Sequence, residues 1–331
     1  MKAAIIGAGK MGEKKAEACK ACGIDVVYVD SINKDMVDKI CKDHGATSKP
    51  WREFIQEPDL NLIFVCTSHD ALKEATVAAL NAGKHVCVEK PAGRNSAEVQ
   101  EIVTAHENAL QKKYVGLKVS LNHRFHPAIW KAKEIADKGE LGELLFMTGE
   151  YGHGGRDGME TEWRCIKSQG GGGELLDQGS HIIDLYQWFM GHPDSVNGYA
   201  PTYAYRNEKE PVEDNCFFRM RTGKKCGHFH VSWTMWKNDF RLKIVGEKGL
   251  AVINGLGRHY GKETLTIYKR GAMGKASESY KYPPGDDPER DESFIDELKY
   301  FLECIEEEKQ PDGGIKEALE SMKIVEDIYS K

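Results

Sequence analysis

The first third of the chain alternates short apolar runs with longer amphipathic stretches, and this alternation restricts the possible folds more than any other feature. Runs such as "AAIIGAG" and "DVVYVD" have the length of buried strands, whereas "KMGEKKAEACKACG" has helical periodicity. Parallel strands need a long return connection, and helices of this length supply it. Residues 1–121 are therefore predicted to form a doubly wound α/β domain with a mainly parallel sheet.

Beyond residue 121 the pattern changes to strand-like runs separated by tight glycine-containing turns such as "RTGKK" and "GEKG". Consecutive strands joined in this way favour an antiparallel sheet. Two helical stretches follow, "DPERDESFIDELKYFLECIEEE" and "GIKEALESMKIVEDIYSK". Residues 122–331 are predicted to form an α+β domain with a large open, mainly antiparallel sheet. One face of that sheet would need covering, which predicts a homodimer or homotetramer formed sheet to sheet.

Composition excludes several classes of protein. The formal net charge of −6 argues against nucleic acid as a partner, because phosphate backbones select basic surfaces. No stretch approaches the roughly 18 apolar residues of a membrane span. Nine cysteines without framework spacing indicate reduced thiols and a cytoplasmic location.

Three glycines, Gly7, Gly9 and Gly12, form G-x-G-x-x-G between the first strand and the first helix, with Lys10 and Met11 inside the turn. In this context the glycines allow a tight turn, close approach of a pyrophosphate and close packing of helix on strand. The second strand ends at Asp30, whose carboxylate suits ribose hydroxyls and repels a 2′-phosphate. These residues predict an NAD site. NADP is the less favoured cofactor, although the nearby Lys34 leaves some tolerance for it.

Glu89 and Lys90 end the fifth apolar run in "HVCVEKP". Ligands of open α/β sheets collect outside the carboxyl ends of the strands, which would place Lys90 near a nicotinamide. Desolvation by the cofactor ring would lower the pKa of this lysine and suit it to proton exchange. The alternative is a surface lysine paired with Glu89 ahead of a turn.

The stretch "GGGELLDQGSHIIDLYQWF" is predicted to be a helix preceded by a glycine run. At 100° per residue Asp177 and His181 share a narrow stripe with Asp184 and Trp188. Apolar residues occupy the opposite, core-facing side. The polar stripe faces either solvent or a cleft, and periodicity alone does not decide between them.

Four strings in this order carry a family resemblance: "AAIIGAGKMG", "AALNAGKHVCVEKPAG", "NHRFHPAI" and "GGGELLDQGSHIIDL". Together they resemble the glucose-fructose oxidoreductase, inositol dehydrogenase and rhizopine-catabolism (Gfo/Idh/MocA) family, over essentially the whole chain. The resemblance implies a Rossmann domain, an α+β substrate domain, a nicotinamide cofactor and sugar- or polyol-like substrates. It also implies that Lys90, Asp177 and His181 are catalytic.

The family commonly has Thr-Pro after the fourth strand, where this chain has Thr67 and Ser68, both candidates for cofactor contacts. A histidine often found shortly afterwards in the family aligns with Leu72. In the implied reaction, His181 takes a proton from a secondary hydroxyl as hydride leaves its carbon for the nicotinamide. Lys90 donates to the same oxygen, and Asp177 orients a neighbouring hydroxyl or relays the proton. Lys90 and His181 could exchange the role of base.

Three arginines in segments expected near the cleft could recognise an anionic substrate, such as a nucleotide-linked sugar or sugar acid, if two of them converge. The alternative is that Arg124 makes structural contacts and the other two lie on a loop. The glycine-rich stretch 151–173 is predicted to be a mobile lid. No histidine pair has the supporting ligands of a metal site. The candidate substrate-binding residues are Asn122, Arg124, His153, Arg156, Trp163 and Arg164.

The sequence as a whole predicts an NAD-dependent dehydrogenase acting on the CH–OH group of a sugar, sugar derivative or polyol. A second possibility is an enzyme that holds NAD tightly and uses it for transient oxidation, either to cleave a glycosidic bond or to exchange hydride between sugars. A third is a catalytically silent regulator that binds a dinucleotide and a protein partner.

Overall fold

The structure is a computed structural model that describes residues 1–282 and 292–331. Its contacts divide into two compact units. Unit 1 comprises residues 1–121, 168–171 and 294–323, and unit 2 comprises residues 122–167, the described part of 172–293, and 324–331.

This division differs from the predicted second domain, 122–331, because residues 294–323 belong to unit 1. The reason is that Phe294, Leu298 and Phe301 on the first C-terminal helix pack into the hydrophobic core formed by residues of the first 90 positions. A sequence pattern gives the apolar face of a helix but not the domain that covers it.

Unit 1 contains a six-stranded, wholly parallel sheet in the order β3-β2-β1-β4-β5-β6. The prediction of a doubly wound parallel domain is therefore confirmed, although the strand at 47–48 and the helices at 51–54 and 96–110 were not predicted. Its strands are β1 (Lys2–Ile6), β2 (Asp25–Asp30), β3 (Thr47–Ser48), β4 (Leu62–Val65), β5 (His85–Glu89) and β6 (Leu117–Ser120). The helices between them are α1 (Lys10–Ala21), α2 (Lys34–His44), α3 (Trp51–Phe54), α4 (His69–Asn81) and α5 (Ser96–Leu110).

Unit 2 is built on an eight-stranded sheet in the order β14-β13-β12-β11-β7-β10-β9-β8, antiparallel except where β10 pairs with β7. The prediction of a large, mainly antiparallel sheet is confirmed. The strands are β7 (Leu144–Gly152), β8 (Ser195–Tyr199), β9 (Asn215–Thr222), β10 (Lys225–Ser232), β11 (Asp239–Gly246), β12 (Gly249–Asn254), β13 (Glu263–Lys269) and β14 (Ala276–Tyr282).

Of the remaining six helices, two have only four residues each and the other four have 11 to 15. They are α6 (Pro127–Asp137), α7 (Lys167–Gly170), α8 (Glu174–Asp177), α9 (Gly179–Met190), α10 (Ser293–Glu306) and α11 (Ile315–Tyr329). Short 3₁₀ helices cover Asn122–Phe125, Met159–Thr161, Trp163–Cys165 and Arg258–Tyr260.

Local differences from the predicted elements have simple causes. β14 was not predicted, because its alternation in "ASESYKY" lacks large apolar residues. The strand-like run "SVNGYAPTYAY" forms a strand only at 195–199, since Pro201 cannot donate to a ladder. The predicted start of the penultimate helix at 287–291 lies outside the described residues. Within the described chain, no helix is long and apolar enough to span a membrane.

A buried ionic cluster lies under the sheet of unit 1. The Lys15 ammonium on α1 donates to Ser120 Oγ at 2.6 Å and to Glu297 Oε2 at 2.8 Å, and lies 3.7 Å from Glu89 Oε1. Lys118 Nζ is 3.6 Å from the other Glu297 oxygen. Burial opposes ionisation of Glu297, but the two lysines outweigh it and hold the pKa of Glu297 below its ordinary value. The cluster ties α1, β6 and α10 together.

We expect Lys15→Met to destabilise the protein by about 3–5 kcal/mol, because it leaves the Glu297 and Glu89 carboxylates buried without their main cation. Urea unfolding followed by tryptophan fluorescence measures the effect. Lys20→Met, at an exposed position of the same helix, is the matched control and should change stability by less than about 0.5 kcal/mol. Equal effects of the two variants would contradict a structural role for the cluster.

Candidate active site

The turn between β1 and α1 contains glycines with no room for a side chain and one glycine beside open space. Gly7 has φ +101°, and a Cβ added to it would lie 2.4 Å from the Cys66 carbonyl oxygen. A Cβ added to Gly12 would lie 2.2 Å from the Gly7 carbonyl oxygen. At Gly9 an added Cβ meets no atom of the described chain within 4 Å. Gly7 and Gly12 are therefore required by the fold itself. Gly9 leaves open space at the N-terminus of α1, where unpaired N–H groups favour a pyrophosphate.

The other candidate cofactor residues lie at the same edge of the sheet in unit 1. Ile6 pairs with Asp30 on one side and with Val65 on the other, and Val65 pairs with Val88. The carboxyl ends of β1, β2, β4 and β5 are therefore neighbours. This edge carries Gly9 and Lys10, which are exposed, and Met11, Asp30, Thr67, Ser68 and Lys90, which are half-buried.

Asp30 keeps part of its carboxylate available at this edge. Its Oδ2 accepts the N–H of Trp51 at 2.9 Å, and its Oδ1 lies 3.9 Å from the largely exposed Lys34 ammonium. A carboxylate held in this way at the end of β2 fits the ribose of a dinucleotide. The donor set and the space at Gly9 therefore fit NAD.

Glu89 and Lys90 differ in their surroundings although they are adjacent. Glu89 is buried, and burial raises the pKa of its carboxyl while the Lys15 ammonium opposes that rise. Lys90 is half-buried and begins a cis peptide bond to Pro91. Since Glu89 also lies within reach of Lys15, it is not simply the partner of a surface lysine.

In unit 2, the predicted helix of the glycine-rich segment is broken. Asp177 ends α8 and His181 lies in the first turn of α9, with Gln178 between the two helices. His181 and Asp184 are 5% and 1% exposed. Of the two placements left open by periodicity, the solvent-facing one is therefore wrong for these two residues. Their stripe packs against the 3₁₀ helix 122–125.

An imidazole stack and an ion pair join α9 to this 3₁₀ helix. The rings of His123 and His181 are stacked with centroids 3.8 Å apart. The Arg124 guanidinium donates to Asp184 through Nε at 2.8 Å and through a second nitrogen at 2.5 Å, and both side chains are buried. This geometry favours the structural alternative for Arg124, because its guanidinium fork is already occupied.

Two tyrosines in the region of His181 were not predicted as site residues. The ring of Tyr151 lies 6.5 Å from that of His181 and 5.4 Å from that of Tyr260, whose hydroxyl accepts from Gln178 Nε2 at 3.0 Å. Burial raises the pKa of both phenols, so they remain protonated donors at neutral pH. Strand alternation could have placed Tyr151 facing inward, but no sequence signal marks Tyr260.

Asp177, Arg164 and His153 form a second polar group in unit 2. The Arg164 Nε lies 3.5 Å from Asp177 Oδ2. His153 Nδ1 accepts the N–H of Gly155 at 2.9 Å, and burial lowers the pKa of its imidazole while Asp177 opposes that shift. His153 is therefore neutral at pH 7 and keeps a donor at Nε2.

The remaining substrate candidates contact other side chains of the protein. Arg156 pairs with Glu162, and the amide of Asn122 donates to Ser293 Oγ at 3.0 Å. The Arg164 guanidinium lies over the Trp163 ring at 4.3 Å. Each of the three arginines thus has a carboxylate partner of its own. Among the described residues, no group of three His, Cys, Asp or Glu side chains could hold a metal ion.

A small buried core joins the predicted lid segment to the rest of unit 2. Met159, Cys165, Val212 and Trp233 form a buried cluster against which Tyr205 packs. The Tyr205 hydroxyl donates to the Gly154 carbonyl at 2.7 Å. These contacts make 153–167 a packed substructure within unit 2.

Comparison with known proteins gives two family matches. Residues 1–117 match a model described as "Oxidoreductase family, NAD-binding Rossmann fold", and residues 129–252 match the "GFO/IDH/MocA C-terminal domain". Together these two models of one family cover most of the chain.

Individual relatives agree with these matches. Levoglucosan dehydrogenase of Pseudarthrobacter phenanthrenivorans is 30% identical over 159 residues, which are 47% of this chain and 40% of that protein. Myo-inositol 2-dehydrogenase of Thermotoga maritima is 28% identical over 58% of this chain and 55% of its own. The similarity thus spans about half the length of these relatives. The scyllo-inositol 2-dehydrogenase (NAD(+)) of Bacillus subtilis is 23% identical over 94% and 88% of the two chains.

Solved structures agree on the fold. Levoglucosan dehydrogenase in complex with NADH and levoglucosan superimposes with a TM-score of 0.88 at 22% identity, covering 100% of this chain and 96% of that one. An aldose-aldose oxidoreductase from Caulobacter crescentus, complexed with glycerol, gives a TM-score of 0.85 at 21% identity, covering 100% and 96%.

We expect Gly9→Val to leave the fold intact but to weaken NADH binding by at least about tenfold, because its side chain would occupy the open space beside α1. Titration of NADH fluorescence measures the affinity, and thermal unfolding measures the stability. Gly12→Ala is the contrasting variant and should lower the melting temperature, since its Cβ would clash with Gly7. Unchanged NADH affinity in Gly9→Val would place the dinucleotide elsewhere.

Proposed function

The chain belongs to the Gfo/Idh/MocA oxidoreductase family, and from this membership we propose that it is an NAD-dependent dehydrogenase acting on a secondary hydroxyl of a sugar or polyol. Membership confirms the predicted family and the NAD cofactor. Relatives named as inositol and levoglucosan dehydrogenases support an enzyme acting on CH–OH groups. The observation that carries the proposal is that Lys90 leaves β5 at the same sheet edge as the open Gly9 and Asp30.

We propose the following roles for the catalytic residues. His181 removes the hydroxyl proton, and Lys90 stabilises the negative charge that develops on the same oxygen. The two residues could exchange the role of base. Asp177 accepts a hydrogen bond from a neighbouring hydroxyl. The glycine turn at Gly7–Gly12 and Asp30 would hold NAD, which would supply the hydride acceptor for this oxidation.

The charges in unit 2 favour a neutral substrate over an anionic one. Arg124 is committed to a buried pair with Asp184, and Arg156 and Arg164 each lie beside a carboxylate that offsets the positive charge they would offer to a phosphate or sugar acid. Neutral donors such as His153 suit hydroxyl groups. The names of the relatives, levoglucosan and inositol dehydrogenases, point the same way. We therefore favour a neutral sugar or polyol over a nucleotide-linked or acidic sugar.

We expect Lys90→Ala and His181→Ala to bind NADH normally but to lose about 10²- to 10⁴-fold in kcat, because each removes a proton-transfer group. A screen of neutral sugars, polyols and sugar acids by NADH absorbance identifies the substrate. Lys112→Ala and His192→Ala, both at exposed positions, are the matched controls. Near-normal rates in either catalytic variant would refute its assigned role. Turnover without net NADH release would indicate the transient-oxidation alternative.

We also propose that the open face of the sheet in unit 2 joins two copies of this chain. Tyr199 and Phe217, paired across β8 and β9, are 66% and 43% exposed. They border a concavity of about 530 Å³ that also carries Arg219, Arg241 and Lys243. Exposed aromatic side chains on the open face of a sheet favour an interface there.

The predicted cytoplasmic location stays a prediction from cysteine usage.

Phe217→Glu should lower the mass measured by sedimentation velocity, because two like charges would meet across a symmetric interface. Trp236→Glu, which places the same charge on an exposed residue of the β10–β11 connection, is the control. An unchanged mass for Phe217→Glu would exclude the sheet face as the interface.

A further inference from the structure

One buried carboxylate fixes the start of α8. Glu213 Oε2 accepts the N–H of Gly173 at 3.1 Å, and its Oε1 accepts the N–H of Leu175 at 2.9 Å. The Glu213 carbonyl accepts the N–H of Glu174 at 3.1 Å. Three successive backbone donors at the entry to α8 therefore bind one residue, which satisfies groups that a helix start otherwise leaves unpaired.

A second residue completes this arrangement from α11. The Tyr329 hydroxyl donates to Glu213 Oε1 at 2.7 Å. An added Cβ at Gly172 would lie 2.4 Å from the Tyr329 hydroxyl oxygen, and one at Gly173 would lie 1.8 Å from the Glu213 carbonyl oxygen. The last two glycines of the run 170–173 thus permit the backbone to approach Glu213 and Tyr329 closely. This explains their presence without assigning them flexibility.

The environment of Glu213 makes the arrangement sensitive to its charge. Burial raises the pKa of this carboxyl, while Tyr329 and the backbone N–H groups of Leu175 and Gly173 oppose the rise. All these partners are donors, and a carboxylate accepts from every one of them. An amide in its place would direct an NH₂ group towards one of the donors.

We propose that Glu213 and Tyr329 form a clamp that sets the position of Asp177. The inference rests on the proposed function of Asp177. α8 has only four residues, so its position depends on its contacts with the rest of unit 2. α9 is held independently by its apolar face and by the Arg124–Asp184 pair. Loss of the clamp therefore displaces Asp177 without unfolding α9.

The experiment compares Tyr329→Phe and Glu213→Gln in the full chain with the wild type. Hydrogen–deuterium exchange should rise by about tenfold or more at the amides of 173–177 and stay unchanged in the strands of unit 2. The kcat should fall about tenfold in Tyr329→Phe and further in Glu213→Gln, with KM for NAD unchanged. A fall in kcat with an unchanged KM for NAD distinguishes the loss of Asp177 positioning from a loss of cofactor binding.

Tyr186→Phe is the matched control, because it removes a tyrosine hydroxyl that contacts Thr222 from α9 itself. It should alter neither exchange at 173–177 nor kcat. Unchanged exchange in both clamp variants overturns the proposal, and so does faster exchange with unchanged kcat. Failure of the proposed function looks different, since the wild type then oxidises no sugar or polyol while the local exchange difference persists.

Discussion

Six parallel strands end at one edge of a single sheet, and the chemistry of unit 1 depends on that constraint. Register alone places the glycine turn, Asp30, Ser68 and Lys90 beside one another, although they are spread over 84 positions of sequence, from 7 to 90. The buried cluster around Lys15 then holds α1 and α10 against the same sheet. The register of the sheet thus brings the candidate cofactor residues together, and the Lys15 cluster stabilises the helices that pack on this sheet.

The sequence predicted the parts of the fold that have a local cause. Alternating apolar runs predicted the parallel sheet, and the spacing from Gly12 to Asp30 led to the candidate dinucleotide site. What it missed depends on partners distant in sequence. Periodicity placed His181 on a polar stripe but could not show that His123 covers it. No sequence pattern around Tyr260 marks it as a site residue. The placement of α10 in unit 1 depends on core contacts with residues far away in sequence.

The ion pairs in unit 2 bear on substrate choice. A guanidinium in a buried, two-bond pair with a carboxylate offers little to an anion, because breaking the pair leaves one charge buried without a partner. Arg124 shows the structural extreme of this behaviour, with both partners buried. Residue type alone suggested anion recognition, whereas each of the three arginines lies beside a carboxylate in the structure. A sequence therefore shows which arginines are present, but not which of them are already paired with a carboxylate.

The small core formed by Met159, Cys165, Val212 and Trp233 has a mechanical consequence. A glycine-rich loop without such a core would rearrange residue by residue, with a continuum of shapes. Because Val212 and Trp233 lie outside the segment, this core instead anchors 153–167 to the rest of unit 2. Any displacement of the segment would have to break the whole cluster at once, together with the hydrogen bond from the Tyr205 hydroxyl to the Gly154 carbonyl.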